Sequence, residues 1–219
     1  RAMAWCPAPH RLAISAVGDD DRGIRALKEL EKKGVSTDHI TTLPGAVTGY
    51  VLASVDKEGV ASYQFPDDVA WDNLAFSDKT MNLASKVDAV CFGSLGQRSS
   101  TSREAIHSFL QQVGEDALKV FDLNLRQDFY NKNIITTSLD HADVLKLNDE
   151  ELVVLSTMFG INGSQHECVE TLVKQYSLQL VVLTRGGEGS LLVSQDAVSN
   201  HPGYEAKIID TIGAGDSFT

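Results

Sequence analysis

Apolar, β-prone runs alternate with helical patterns through most of the chain, and this rhythm limits the fold more than any other feature. Runs at 87–92, 118–122, 142–147 and 178–184 read as buried strands, with a further strand at 190–193. Helical patterns occupy 102–113, 148–158 and 168–176. Continuous apolar strands separated by helices imply a mostly parallel sheet sandwiched by helices, an α/β architecture. Its crossovers should be right-handed, and its ligand site should lie beyond the carboxyl ends of the strands. Nearer the N-terminus, a strand at 12–17 meets the acidic corner Gly18-Asp19-Asp20-Asp21, a helix start. Ile24, Leu27 and Leu30 then recur at helical spacing up to Gly34. The runs at 47–55 and 60–65 flank Asp56-Lys57-Glu58-Gly59 and read as a hairpin. It interrupts the βα rhythm, so 47–66 is expected to be a small accessory β piece within a single domain over 1–219.

Polar residues collect where the strands end. Gly93-Ser94 follows one, and Asp122, Asn124 and Arg126 follow the next. Asn148-Asp149-Glu150-Glu151 follows a third, and Thr184-Arg185-Gly186-Gly187-Glu188-Gly189 a fourth. Asn148 and Glu151 stand three apart at a helix start, on one face. That pair suits either a hydrated magnesium ion, which needs few protein ligands, or a capping box. The planar fork of Arg126 could clamp a phosphoryl group. Gly186 and Gly189 with Thr184 would let a phosphate or ribose approach the backbone, or simply make a tight turn.

The chain closes on Asp210-Thr211-Ile212-Gly213-Ala214-Gly215-Asp216-Ser217-Phe218-Thr219. Small residues leave backbone N–H groups uncovered, and a helix start adds positive partial charge, so the turn suits a phosphate. An acid placed there is suited to accept a proton from a hydroxyl as that hydroxyl attacks phosphorus. The alternative is a glycine-rich turn with an aspartate cap.

Composition narrows the partners. A net charge of −11 gives no basic face for nucleic acid or an anionic membrane. No run is long enough to span a membrane. Three dispersed cysteines, Cys6, Cys91 and Cys168, fit reduced thiols in a cytoplasmic protein, with Cys91 read as core. No GxGxxG follows the first strand, which argues against a nicotinamide oxidoreductase. The chain lacks an initial Met and stops inside a helix start, so it reads as incomplete at both ends.

The closing segment Asp210–Asp216 resembles the C-terminal signature of the ribokinase-like (PfkB) carbohydrate kinases. Other segments follow that family's order: Gly18-Asp19-Asp20-Asp21-Arg22-Gly23, then Gly34-Val35-Ser36-Thr37-Asp38, and Thr48-Gly49 before the hairpin. Gly93-Ser94-Leu95-Gly96-Gln97-Arg98, Asp122-Leu123-Asn124-Leu125-Arg126 and Val69-Ala70-Trp71-Asp72 are most similar to the fructokinase branch.

The resemblance implies a ribokinase-like fold with 47–66 as a lid, and ATP-dependent transfer of the γ-phosphoryl group to a sugar hydroxyl. Asp216 would be the base, and the amides of Gly213, Ala214 and Gly215 the anion hole. Asn148 and Glu151 would organise Mg²⁺ and phosphate through water, near Arg126. Thr184, Gly186 and Gly189 would contact ATP. Asp210 and Thr211 would hold a monovalent cation such as K⁺. Fructose leads as substrate; ribose, a 2-keto-3-deoxy sugar acid, a nucleoside, or a non-catalytic sensor of sugar or nucleotide are the alternatives. The lid edge would serve for pairing of two subunits. Nothing before Leu12 matches the family's first strand and its sugar-gripping glycine pair, and the segment that would pack on adenine is not in the sequence.

Overall fold

The computed structural model describes residues 10–55, 61–205 and 213–218. The chain divides into two compact units, one formed by residues up to Ala84 with Ser99–Phe109, the other by Ser85–Arg98 and residues from Leu110 onward. In chain order the first elements are β1 (Arg11–Gly18), α1 (Asp21–Lys32), β2 (Val35–Leu43), β3 (Leu52–Val55), β4 (Ala61–Gln64) and α2 (Asp78–Met81). They are followed by β5 (Ala89–Gly93), α3 (Ser100–Leu110), β6 (Leu118–Asp122), α4 (Lys132–His141), β7 (Val144–Asn148) and α5 (Asp149–Phe159). The remainder is α6 (Gln165–Gln175), β8 (Leu180–Thr184), β9 (Ser190–Val193), β10 (Val198–His201) and α7 (Ala214–Phe218). Among the described residues no helix is long and apolar enough to cross a membrane.

The larger unit is built on a six-stranded sheet in the order β10-β9-β8-β7-β6-β5. Pairing is parallel from β5 through β8 and antiparallel from β8 to β10. The expected mostly parallel sheet is therefore present, with a hairpin closing one side. Its centre is β7, where Val144, Leu145, Lys146 and Leu147 are all buried. Phe121, Leu123, Ile135, Leu139, Leu155, Leu172 and Leu183 fill the adjoining core. Each such side chain contributes about 1.5–3 kcal/mol by leaving water.

Helix starts here follow local chemistry. Ser164 Oγ accepts from the N–H of Glu167 at 3.3 Å, and Glu167 Oε2 accepts from the N–H of Ser164 at 2.7 Å, so α6 opens on a reciprocal cap. Asn131 Oδ1 accepts from the N–H of Ile134 at 2.9 Å and opens α4. That helix is not evident in the sequence, because Ile134, Ile135, Thr136 and Thr137 are β-branched and have weak helical propensity. Two strands are likewise missed. Strand β2 is interrupted by polar residues, and β10 is exposed at every position. Cys91, expected in the core, is exposed. It lies on β5, an edge strand of the sheet whose alternate residues are uncovered.

In the smaller unit β1 and β2 pair in parallel across α1. The expected strands of the 47–66 piece are β3 and β4, paired antiparallel, while the turn at 56–60 lies outside the described residues. A compact joint ties the β1–α1 corner to the approach to β3. Asp20 accepts from the N–H of Gly23 (2.8 Å), the N–H of Thr48 (2.9 Å) and Thr48 Oγ1 (2.6 Å). Thr48 Oγ1 in turn accepts from the N–H of Gly18 at 2.9 Å. Gly18 is required here by space: a Cβ would stand 2.0 Å from the carbonyl oxygen of Ala46.

These bonds, led by the Thr48 hydroxyl, hold the Asp20 carboxyl down at about 2, against an ordinary 3.8. Its folded-state value is depressed, so its stabilisation is complete above the unfolded value and is lost as pH falls toward the folded one. Urea unfolding of the parent and of Asp20→Asn tests this. The stability gap should be widest near neutrality and should close as pH falls through about 4 toward 2. A gap independent of pH would contradict the joint.

Candidate active site

Parallel register sends the carboxyl ends of β5 through β8 to one edge of the sheet. There Gly93 stands opposite Asp122, Asp122 opposite Lys146, and Asn148 opposite Thr184. Both carboxylate oxygens of Asp122 lie 2.9 Å from Lys146 Nζ, and both residues are at least nine-tenths buried. The sequence contained a signal for this pair: a lysine inside an apolar strand needs a partner. The reading of isolated strand ends overlooked it.

The Asn148–Glu151 spacing is realised as a capping box at the start of α5. Asn148 Oδ1 accepts from the N–H of Glu151 at 2.8 Å, and Glu151 Oε2 accepts from the N–H of Asn148 at 2.9 Å. The other carboxylate oxygen, Oε1, accepts from the N–H of Leu125 at 2.8 Å, which fixes the loop after β6. Burial pushes the Glu151 carboxyl up, against those two backbone bonds and the Arg126 charge, which act downward. The exposed Arg126 donates from Nη1 to the carbonyl of Leu125 at 2.8 Å. Arg126, Asn148 and Glu151 line one cavity of about 210 Å³ together with Gln127 and Tyr130, which the sequence did not single out.

Thr184 ends β8 and donates from Oγ1 to the carbonyl of Leu147 at 3.4 Å, beside Asn148. The following turn, Gly186–Glu188, leads directly into β9 as a tight hairpin. Gly189 has φ +84°, and a Cβ there would meet the carbonyl oxygen of His201 at 2.0 Å, so only glycine closes this turn. Neither Gly186 nor Gly189 is among the residues that line the 210 Å³ cavity.

At the C-terminal turn the carbonyl of Gly213 accepts from Ser217 twice, from its N–H at 2.9 Å and from its Oγ at 2.8 Å. This opens α7, whose backbone includes Ala214, Gly215 and Asp216. Asp216 is exposed. A Cβ built on Gly215 would lie 3.6 Å from Lys146 Nζ, so the turn meets the end of β7. Although the Cys91 residue is exposed, partial desolvation of its thiol is the largest cause of its upward shift, and Asp122, Lys146 and Asp216 act on it as well. The structure thus gathers Arg126, Asn148, Glu151 and Thr184 around the ends of β6 to β8, and sets the turn bearing Asp216 beside Lys146. Asp210 and Thr211 lie outside the described residues.

Among the described residues no group of three or more His, Cys, Asp or Glu side chains could hold a metal ion. Asn148 and Glu151 are already engaged by backbone N–H groups and are too few to complete an inner shell. They fit an ion that keeps its waters, as Mg²⁺ does. The double role of Glu151 gives a test. In Glu151→Gln one oxygen becomes an N–H₂, which leaves the N–H of Leu125 or Asn148 facing another donor. Urea unfolding should show a loss of about 1–3 kcal/mol. An unchanged midpoint would mean that the reciprocal cap is not made.

Comparison with known proteins shows the family to which the chain belongs. The sugar kinase PH1459 of Pyrococcus horikoshii, itself uncharacterized, is 29% identical over 212 residues, covering 94% of this chain and 64% of its own. Its crystal structure in complex with ATP aligns with a TM-score of 0.78, at 28% identity, over 94% of this chain and 66% of that one. The Arabidopsis thaliana protein named probable fructokinase-5 is 26% identical, with coverage of 94% and 64%. The 5-dehydro-2-deoxygluconokinase 2 of Bacillus cereus is 25% identical, again with coverage of 94% and 64%. The chain therefore spans about 64% of the length of the curated relatives it matches. Residues 11–219 of the chain match the model of the pfkB family carbohydrate kinases. The chain belongs to the pfkB family of carbohydrate kinases.

Proposed function

We propose that this chain carries the phosphoryl-transfer site of an ATP-dependent sugar kinase of the cytoplasm. The observation that carries the reading is the meeting of Gly215 with Lys146, which sets the exposed Asp216 at the strand edge that also bears Asn148 and Thr184. In this mechanism Asp216 accepts the proton of a sugar hydroxyl as its oxygen attacks the γ-phosphorus. The N–H groups of Gly213, Ala214 and Gly215 receive the charge that develops on the phosphoryl oxygens. Arg126 contributes a planar cation at the neighbouring cavity. Thr184, Gly186 and Gly189 form the ATP-facing turn. Asn148 and Glu151 would hold a hydrated magnesium ion, which when bound would supply positive charge against the phosphates. Positioning and electrostatics supply most of the acceleration. The β3–β4 hairpin serves as the lid, and its free edge as a surface for a second copy.

Fructose is the leading substrate, supported by the fructokinase-like segments around Gly93 and Asp122. A relative named for 5-dehydro-2-deoxygluconate keeps a deoxy sugar acid in the set. A panel of ketoses, ribose, 2-keto-3-deoxy sugar acids and nucleosides, assayed by ADP release in the full-length protein with ATP and Mg²⁺, tests the reading. One member should stimulate ADP release, and Asp216→Asn should cut that rate on the order of 10²–10⁴-fold. ADP release indifferent to every member, or near-normal turnover by the variant, would overturn the proposal.

A further inference from the structure

Thr184, the last residue of β8, pairs with Ser190, the first of β9, so residues 185–189 make up the whole turn between them. Within it the N–H of Arg185 donates to the carbonyl of Gly189 at 2.8 Å, and the N–H of Glu188 to the carbonyl of Arg185 at 2.9 Å. The end of β10 lies directly against this turn. Gly189 meets the carbonyl of His201, and a Cβ on Gly203 would stand 2.7 Å from the carbonyl oxygen of Gly187. Yet β10 is exposed at every position, so side-chain packing does little to fix it there. Arg185 supplies a tie. Its Nη2 donates to Asn200 Oδ1 at 2.6 Å, to the carbonyl of Ser190 at 3.1 Å and, at 3.4 Å, to that of His201. One nitrogen thus gathers the start of β9 and the end of β10 around the turn. All three acceptors are neutral, and Arg185 Nε is buried with no partner among the described residues. A buried donor left unpaired costs stability, so stability alone does not account for this side chain.

Resting on the reading of this turn as ATP-facing, we propose that Arg185 is a positioning residue for ATP: its guanidinium, tied to Asn200, holds the turn at 185–189 in the shape that receives the nucleotide. Gly186, Gly187 and Gly189 lie between Arg185 and Ser190. A turn so rich in glycine samples many conformations, and an incoming ligand would spend binding energy on ordering it. A clamp that joins the turn to β9 and β10 removes that cost before ATP arrives. The effect is directional. The bonds of Arg185 run to β9 and β10, away from the Arg126 cavity and from α7, so the sugar and the chemical step are left alone.

The test uses the full-length protein and whichever sugar stimulates its ADP release. KM for ATP, KM for that sugar and kcat are measured separately, and affinity for a non-hydrolysable ATP analogue is measured by calorimetry. Asn200→Ala removes the shortest bond of the clamp but keeps the Arg185 charge. It should weaken the analogue and raise KM for ATP about threefold, and Arg185→Met about tenfold. In both, kcat and the sugar KM should stay within about twofold of the parent, the pattern of lost ground-state binding to one substrate. Because Asn200 acts through Arg185, the double variant should be no weaker than Arg185→Met. If Arg185→Met fails to fold, Asn200→Ala, at an exposed position, carries the test alone. Analogue affinity unmoved in either single variant, a matching rise in the sugar KM, or additive losses in the double variant would overturn the proposal while leaving the kinase reading in place. If the parent protein shows no sugar-dependent ADP release, the kinase reading itself fails and this inference falls with it.

Discussion

Parallel backbone pairing of β5 through β8 is the constraint on which the candidate site rests. Parallel strands in register end together, so side chains far apart in sequence arrive at one edge without any contact between them having to be specified. Asp122 meets Lys146, and Asn148 meets Thr184, because the register says so. Burial on both faces of β7 supports that register: Leu145 and Leu147 are fully buried, and a slip by one residue would put the Lys146 ammonium in their place and part it from Asp122. Packing energy in the sheet is thereby converted into the placement of chemistry at its rim.

At that rim the polar groups hold the structure and, in the proposed reading, serve the chemistry as well. Glu151 closes the start of α5 and anchors the loop after β6, so its carboxylate is held by two backbone N–H groups, one at the end of β7 and one in that loop. A carboxylate so engaged is poorly suited to direct metal ligation and well suited to orienting a hydrated ion. Asp216 is the opposite case. It is exposed, stands in the first turn of a short helix and is left available to a mobile reactant. In the proposed reading this division suits phosphoryl transfer, which needs rigid groups for charge and one accessible base for the proton.

The strand rhythm after residue 87 was legible because buried parallel strands are continuous apolar runs, and the signature at Asp210–Asp216 was legible as a string. Three elements were hidden by chemistry that imitates something else. Strand β2 carries Ser36, Thr37, Asp38 and His39 and looks like a loop. Helix α4 is rich in β-branched residues that favour strands. Strand β10 has no buried face to leave a pattern. At the site, Asn148 and Glu151 could be chosen from their spacing, which is also the spacing of a capping box, and the structure displays that box. The Asp122–Lys146 pair joins two strings that sequence reading treats separately: a lysine in an apolar strand asks for a partner, and the register shows which one. Tyr130 and Gln127 entered the cavity for the same reason: a loop conformation, not a local pattern, brings them there.

The central claim is that Asp216 is the group that takes the hydroxyl proton. A crystal structure of the full-length protein with its sugar and a non-hydrolysable ATP analogue measures this directly. The account predicts an Asp216 carboxylate oxygen within about 2.6–3.2 Å of the hydroxyl that faces the γ-phosphorus. A hydroxyl held there by a different side chain, with Asp216 turned away, would contradict it.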